Sequence, residues 1–178
     1  MNSEQTNSVF GTLSKIDVSN HTEKKNGLTY LSWAWAWGLV KSIYPTANYR
    51  VVNYEGRPYL HDTLLGYLVT TEVTIDGETI PMSLPVMDGA NKAQKHQMYT
   101  YKTKYAEKSV EPATMFDINT AIMRCLTKNL AMFGLGHYIY AGEDYPQKTE
   151  QEKQIETKPN LDPTNAKWHG AIEALQNK

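Results

Sequence analysis

Apolar residues recur at helical spacing in two stretches of the chain and at strand spacing between them. In the first stretch Leu31, Trp35, Leu39 and Ile43 stand four apart, with Trp33 and Trp37 on a neighbouring line. This predicts a helix over residues 29–44 with one buried stripe, stopped by Pro45, which cannot donate to a helical ladder. The apolar arc is unusually wide and suits packing on two partners at once. In the second stretch Ile118, Ile122, Leu126, Leu130 and Phe133 form a single ridge. Thr114 is placed to cap that helix, Asp117 completes something close to a capping box, and Gly134 with Gly136 ends it. Residues 137–140 then read as a short strand.

Between the helices the period falls to two. Residues 49–54 alternate weakly, and residues 66–75 are rich in Thr, Val and Tyr. Asp76-Gly77 is a strong two-residue hairpin signal. The return strand, residues 78–86, contains Pro81 and Pro85, which suits an edge position or a bulge. The expected fold is therefore α+β: an N-terminal helix and an antiparallel β-meander packed on a long central helix.

Three regions follow from this pattern. Residues 1–26 form a polar leader, closed by the turn chemistry of Lys24-Lys25-Asn26-Gly27 and ordered only where Val9-Phe10 docks. Residues 27–144 form the core domain. Residues 145–178 form a tail rich in Glu, Gln, Lys, Thr and Pro, expected to be flexible. A short helix over 164–175 carries Trp168, Ile172 and Leu175 on one face.

Charge changes the picture only when it is counted by region. The net formal charge of −1 announces no polyanionic partner. Yet residues 27–88 hold three Lys/Arg against six Asp/Glu, and residues 89–142 hold seven against three. Local fields matter more than the total. The single cysteine, Cys125, excludes an intramolecular disulfide and a cysteine-cluster metal site. No signal-like start and no apolar run of membrane-spanning length occur, so a cytoplasmic protein with no membrane partner is expected.

Catalytic chemistry finds little support. There is no Gly-x-x-x-x-Gly-Lys-Ser/Thr to cradle a triphosphate. His61-Asp62 resembles the dipeptide of some metal phosphohydrolases but has no second histidine at ligand spacing, and reads as a surface turn. Asp62, Asp88 and Asp117 are the carboxylates that a nuclease would need to converge. The expectation is a non-enzyme with no metal and no cofactor.

Two segments offer binding chemistry instead. Thr120, Arg124 and Lys128 stand four apart on the predicted central helix, away from its apolar ridge, either as a track for phosphates or as a solvated face. Before the helix, Lys92, Lys95, Lys102, Lys104 and Lys108 interleave with Tyr99, Tyr101 and Tyr105. Lysines neutralise phosphates and tyrosine rings stack on unpaired bases, which together serve sequence-tolerant single-strand binding. The alternative is a lysine-bearing hairpin whose tyrosines pack inward. The tryptophans of the first helix read as core.

The run MFDINTAIMRCLTKNLAMFGLGHYIY over residues 115–140 resembles the helix and exit segment of phage single-strand annealing proteins. These form the Sak, Erf and Redβ circle, relatives of the eukaryotic Rad-fifty-two annealing protein. The FGLG stop followed by Tyr138-Ile139-Tyr140 is similar to the Sak type. LSWAWAW at 31–37 and PVMDGANK at 85–92 resemble a subgroup from phages of Gram-positive bacteria. The resemblance implies ATP-independent binding of single-stranded DNA and annealing of complementary strands in homologous recombination. It implies subunits assembled in a ring or helical filament, with DNA held by its backbone in a positive groove. By position Lys128 matches a basic residue of the family; Arg124 lies a turn earlier, where a cation is less uniform. The family often has adjacent basic residues here, whereas this chain has Thr127 before Lys128. The tail is a candidate contact for a single-strand-binding protein. Competing readings are a strand-protecting protein without annealing activity and a phage adaptor or regulator that binds protein.

Overall fold

The computed structural model describes residues 8–25 and 28–141. The turn at Asn26-Gly27, the tail and the terminal helix expected at 164–175 lie outside the described residues. Within them the chain builds one antiparallel four-stranded sheet, two small hairpins and two principal helices.

The longest strand, β5 (Gly66–Ile75), is the centre of the sheet. Strand β6 (Glu78–Pro85) pairs along it from Leu68↔Pro85 to Ile75↔Glu78. Asp76 and Gly77 join them with φ of 52° and 83°, the double left-handed conformation that a tight primed turn demands. Strands β3 (Asn48–Val51) and β4 (Leu60–Asp62) share the other edge of β5. Beyond β6, Val86 donates to the Tyr67 carbonyl at 2.9 Å. Even-numbered residues of β6 therefore face β5, and Pro81 and Pro85 sit at outward positions of an edge strand. Their missing N–H groups cost no ladder bond.

Period-two burial on β5 puts Val69, Thr71, Val73 and Ile75, all fully buried, on one face. Helix α3 (Met115–Met132) lies across it. Its start is fixed by the capping box: the Thr114 N–H donates to the Asp117 carboxylate at 2.8 Å, and the Asp117 N–H donates to the Thr114 hydroxyl at 3.3 Å. All five residues of the expected ridge are buried. Ile118 and Ile122 pack with Val69, Leu84 and Val86, while Leu126, Leu130 and Phe133 join Val73, Ile75, Leu13 and Val40. Truncating one such leucine to alanine typically costs about 2–5 kcal/mol, so this contact carries much of the stability.

A polar seam runs through the same apolar interface. Asn129, fully buried, donates to the carbonyls of Thr71 and Ile80 at 3.0 Å each. The Cys125 thiol donates to the Met82 carbonyl at 3.0 Å. A buried donor left unpaired costs roughly 1–3 kcal/mol, so sliding α3 by one turn is penalised twice. The seam sets which side of α3 faces away from the sheet.

Four expectations are corrected. Residues Leu28–Leu31 are not helical; they form strand β2, antiparallel to β1 (Thr22–Lys25), and Ser32 caps helix α2 (Trp33–Ile43) by accepting from the Trp35 N–H at 3.5 Å. Cross-strand pairing overrides the four-residue period in Thr29, Tyr30 and Leu31. In consequence the fully buried line of α2 is Ala36 and Val40, not the stripe Leu31, Trp35, Leu39 and Ile43; Ile43 is exposed. Trp35 and Trp37 flank that line, Trp35 stacked on His21 at 3.9 Å and Trp37 edge-on to Tyr49 at 5.0 Å, so the wide arc does serve two partners. Residues His137–Tyr140 form a 3-10 turn rather than a strand, because Gly134 and Gly136, with φ of 106° and 63°, fold the chain back on α3. Tyr138 then reaches the leader, its hydroxyl donating to Asp17 and accepting from the Val18 N–H, both at 3.0 Å. The leader is ordered beyond Val9-Phe10: it forms helix α1 (Val9–Leu13) and strand β1, and it is anchored by Leu13 and Val18, fully buried, more than by Phe10, which is half-exposed against His137.

Candidate nucleic-acid interface

With its ridge on the sheet and its polar seam fixed, α3 turns the line Phe116, Thr120, Arg124 and Lys128 away from the core; the four-residue spacing keeps all four on one side. Of the two readings of this line, the uniformly solvated face does not hold. Arg124 and Lys128 are half-buried, because strand β2 and the 3-10 turn reach over them. The Arg124 guanidinium lies 4.8 Å from the centre of the Tyr30 ring, and the Lys128 ammonium 5.3 Å from that of Tyr140. Each ring restricts a long side chain that would otherwise sample many rotamers, at an attraction of about 0.5–2 kcal/mol per pair. Two cations therefore stand preorganised on one helix, each backed by a tyrosine from a different element. Tyr30 and Tyr140 escaped the sequence reading: nothing local marks a tyrosine in a hairpin as the partner of an arginine 94 positions away.

The pair Arg124–Tyr30 divides a groove between the β1–β2 hairpin and α3. On one side a small cleft reaches Thr127, Lys128 and Tyr140. On the other an open cleft of about 420 Å³ is lined by Glu23, Asp88, Phe116 and Thr120 among others. Two of its carboxylates are already engaged with backbone. Asp88 accepts from the N–H groups of Ala90 and Lys92 at 2.9 and 2.8 Å. Asp117, the other acid there, belongs to the capping box; burial pushes its carboxyl up, but the hydrogen bonds from Thr114 outweigh this and hold it below its usual range. Glu23, exposed on β1, is the groove's remaining acid.

The loop from Asp88 leads into the lysine–tyrosine segment. It forms a hairpin of β7 (Tyr99–Lys102) and β8 (Glu107–Val110). Tyr99 and Tyr101 alternate onto one face, half-buried, with Lys95 lying 5.0 Å over the first ring and Lys92 5.1 Å over the second. Tyr101 is directly opposite Lys108, so this face gathers Lys92, Lys95 and Lys108 around two rings. The Tyr99 hydroxyl donates to the Ala93 carbonyl at 2.7 Å, and burial raises its pKa, helped by the nearby Asp88 charge. Tyr99 is thus partly a structural tyrosine. Lys102 is exposed on the opposite face beside Glu107. At the tip, closed by the Thr103 N–H donating to Ala106 at 2.8 Å, Tyr105 is 79% exposed with Lys104 5.6 Å from its ring.

His61 and Asp62 are not in the surface turn expected of them but end strand β4, where they pair with Tyr67 and Gly66. Asp62 accepts from the N–H groups of Leu64 and Leu65, both at 2.8 Å, in the turn that follows, and His61 stacks on Tyr67. Among the described residues no group of three His, Cys, Asp or Glu is arranged to hold a metal. Burial pushes the Cys125 thiol up, away from nucleophilic use. Among the described residues no helix is long and apolar enough to cross a membrane.

An antiparallel sheet laid over one long helix, with a tyrosine-backed cation line along that helix, defines an α+β protein of sheet-on-helix type. The family model for the Sak single strand annealing protein matches residues 8–168, and the chain belongs to that family. Neither a curated protein nor a solved structure matches it.

Proposed function

We propose that the chain binds single-stranded DNA by its phosphates along the α3 groove and anneals complementary strands without ATP, in phage homologous recombination. The observation that carries the reading is the pair Arg124 and Lys128, held in line on one helix against Tyr30 and Tyr140. Its family membership supports the annealing step. Two approaching strands repel through their phosphates, and a groove of fixed cations lowers that barrier. A grip on backbone leaves base edges open, so Watson–Crick pairing supplies the specificity, as in other systems that delegate sequence reading to pairing. Lys92, Lys95, Lys108 and the rings of Tyr99 and Tyr101 extend the surface beyond Asp88, and Lys102, Lys104 and Tyr105 offer further contacts at the hairpin. ATP independence is supported by the lack of a phosphate-binding loop motif in the sequence.

We infer further that copies assemble in a ring or helical filament. The β4–β5 turn supports this, since Leu64 and Leu65 are 76% and 78% exposed beside Leu60. Exposed apolar clusters of this kind mark interaction surfaces. The tail from residue 145 is proposed as the contact for a single-strand-binding protein.

The decisive measurement follows two complementary labelled oligonucleotides by fluorescence, with no nucleotide present. Annealing faster than the protein-free rate is expected, and Arg124→Gln with Lys128→Gln should return it toward that rate. Tight binding with no acceleration would leave a strand-protecting protein instead.

A further inference from the structure

Phe116, the first member of the α3 line, is not used by the phosphate grip. It lies one turn before Thr120 and two before Arg124, on the same side of the helix, and it is 77% exposed. It also lines the open cleft that Tyr30 and Arg124 close at the far end. The backbone that carries it is fixed, since the capping box of Thr114 and Asp117 holds the first turn of the helix. A phenyl ring kept in water on a capped helix, inside a groove whose other end is cationic, calls for a partner that is flat, apolar on its faces and anionic along its edge. A nucleotide is such a partner.

We propose that Phe116 is a base-stacking platform, so that the groove holds one unpaired base by its face while Arg124 and Lys128 hold neighbouring phosphates. This rests on the single-strand-binding reading of the groove and deepens it. At 1.5 Å per residue Phe116 lies about 12 Å along the helix axis from Arg124, and Lys128 about 6 Å beyond that. A strand following the line presents phosphates to the two cations and a base to the ring. The acids near Phe116 do not oppose this: Asp88 and Asp117 are turned to backbone N–H groups, which leaves Glu23 on the facing hairpin. Stacking is sequence-tolerant because every base has a π-face. The platform therefore anchors the strand without choosing its sequence.

The test separates base from backbone. The full chain is titrated, by fluorescence anisotropy, with labelled oligothymidylate and with an abasic sugar–phosphate oligomer of equal length. Phe116→Ala should weaken oligothymidylate binding by roughly 5- to 150-fold and leave abasic binding unchanged. Phe116→Tyr should keep wild-type affinity for both. Arg124→Gln should weaken both. The exposed site predicts an unchanged thermal midpoint for Phe116→Ala, and sedimentation should show an unchanged assembly mass. Equal loss on both oligomers, no loss on oligothymidylate, or a loss that follows a change in assembly mass would overturn the proposal; the last would make Phe116 a contact between copies. If Arg124→Gln altered neither affinity, the groove reading itself would fall, and this one with it.

Discussion

Replacing Arg124 and Lys128 together by glutamine keeps a polar side chain at each position while removing from the α3 line both charges that lie against Tyr30 and Tyr140. If each cation neutralises one phosphate of a single strand, each contributes about 0.7 to the slope of log affinity against log salt. The double substitution should therefore flatten that slope by about 1.4. Since the ionic contribution fades toward 1 M salt, the same slope change amounts to roughly 70-fold weaker binding at 50 mM and roughly 10-fold at 200 mM. The assay is anisotropy of a labelled oligothymidylate titrated at four or five salt concentrations, with the thermal midpoint of each variant as a control for folding. A loss that is equal at every salt concentration, or a slope unchanged by the double substitution, would refute the phosphate contact. It would also return the line to the solvated-face reading.

Other consequences are smaller and equally specific. Tyr30→Phe keeps the ring under Arg124 and should bind as wild type, whereas Tyr30→Leu should lose roughly 2- to 5-fold in affinity at low salt, measured in the same titration. Glu23→Gln, removing the one groove acid not engaged in a turn or cap, should raise affinity modestly at low salt, and an unchanged affinity would place Glu23 outside the strand's path. Asp117→Asn should lower stability by about 0.5–2 kcal/mol at neutral pH in thermal or urea unfolding. Because the folded carboxyl titrates below its usual range, that contribution is present above about pH 4 and lost as pH falls through the folded value, so the two proteins should converge in acid. Gly134→Ala should cost more than about 1 kcal/mol, since φ is 106° there and a Cβ would lie 2.7 Å from the Phe10 carbonyl oxygen.

The long helix, its cap, its glycine stop and the β5–β6 hairpin were legible because each is written in neighbouring residues. Thr114 reaches Asp117, Asp76 adjoins Gly77, and a ridge of five apolar residues has one spacing. The first helix was misread at its start for the complementary reason. Thr29, Tyr30 and Leu31 satisfy a helical period, but their hydrogen bonds go to Thr22–Lys25, and a pairing partner outside the window outweighs a local preference. His137–Tyr140 has the composition of a strand but, among the described residues, no strand pairs with it.

The candidate site divides along the same line. The sequence alone determined that cations and tyrosines concentrate between Lys92 and Lys128, because charge and ring are properties of single residues. It also determined that Arg124 and Lys128 share a side of α3, because helical spacing is local geometry. Only the tertiary structure decided that this side is a groove rather than open surface. Asn129 and Cys125 bind carbonyls of β5 and β6 and so set the rotation of α3, and that rotation carries Arg124 under Tyr30, Lys128 under Tyr140 and Phe116 into the adjoining cleft. Contacts between residues a hundred positions apart depend on how a helix is turned on a sheet, and that angle is set by packing and buried hydrogen bonds, not by any residue's own preference.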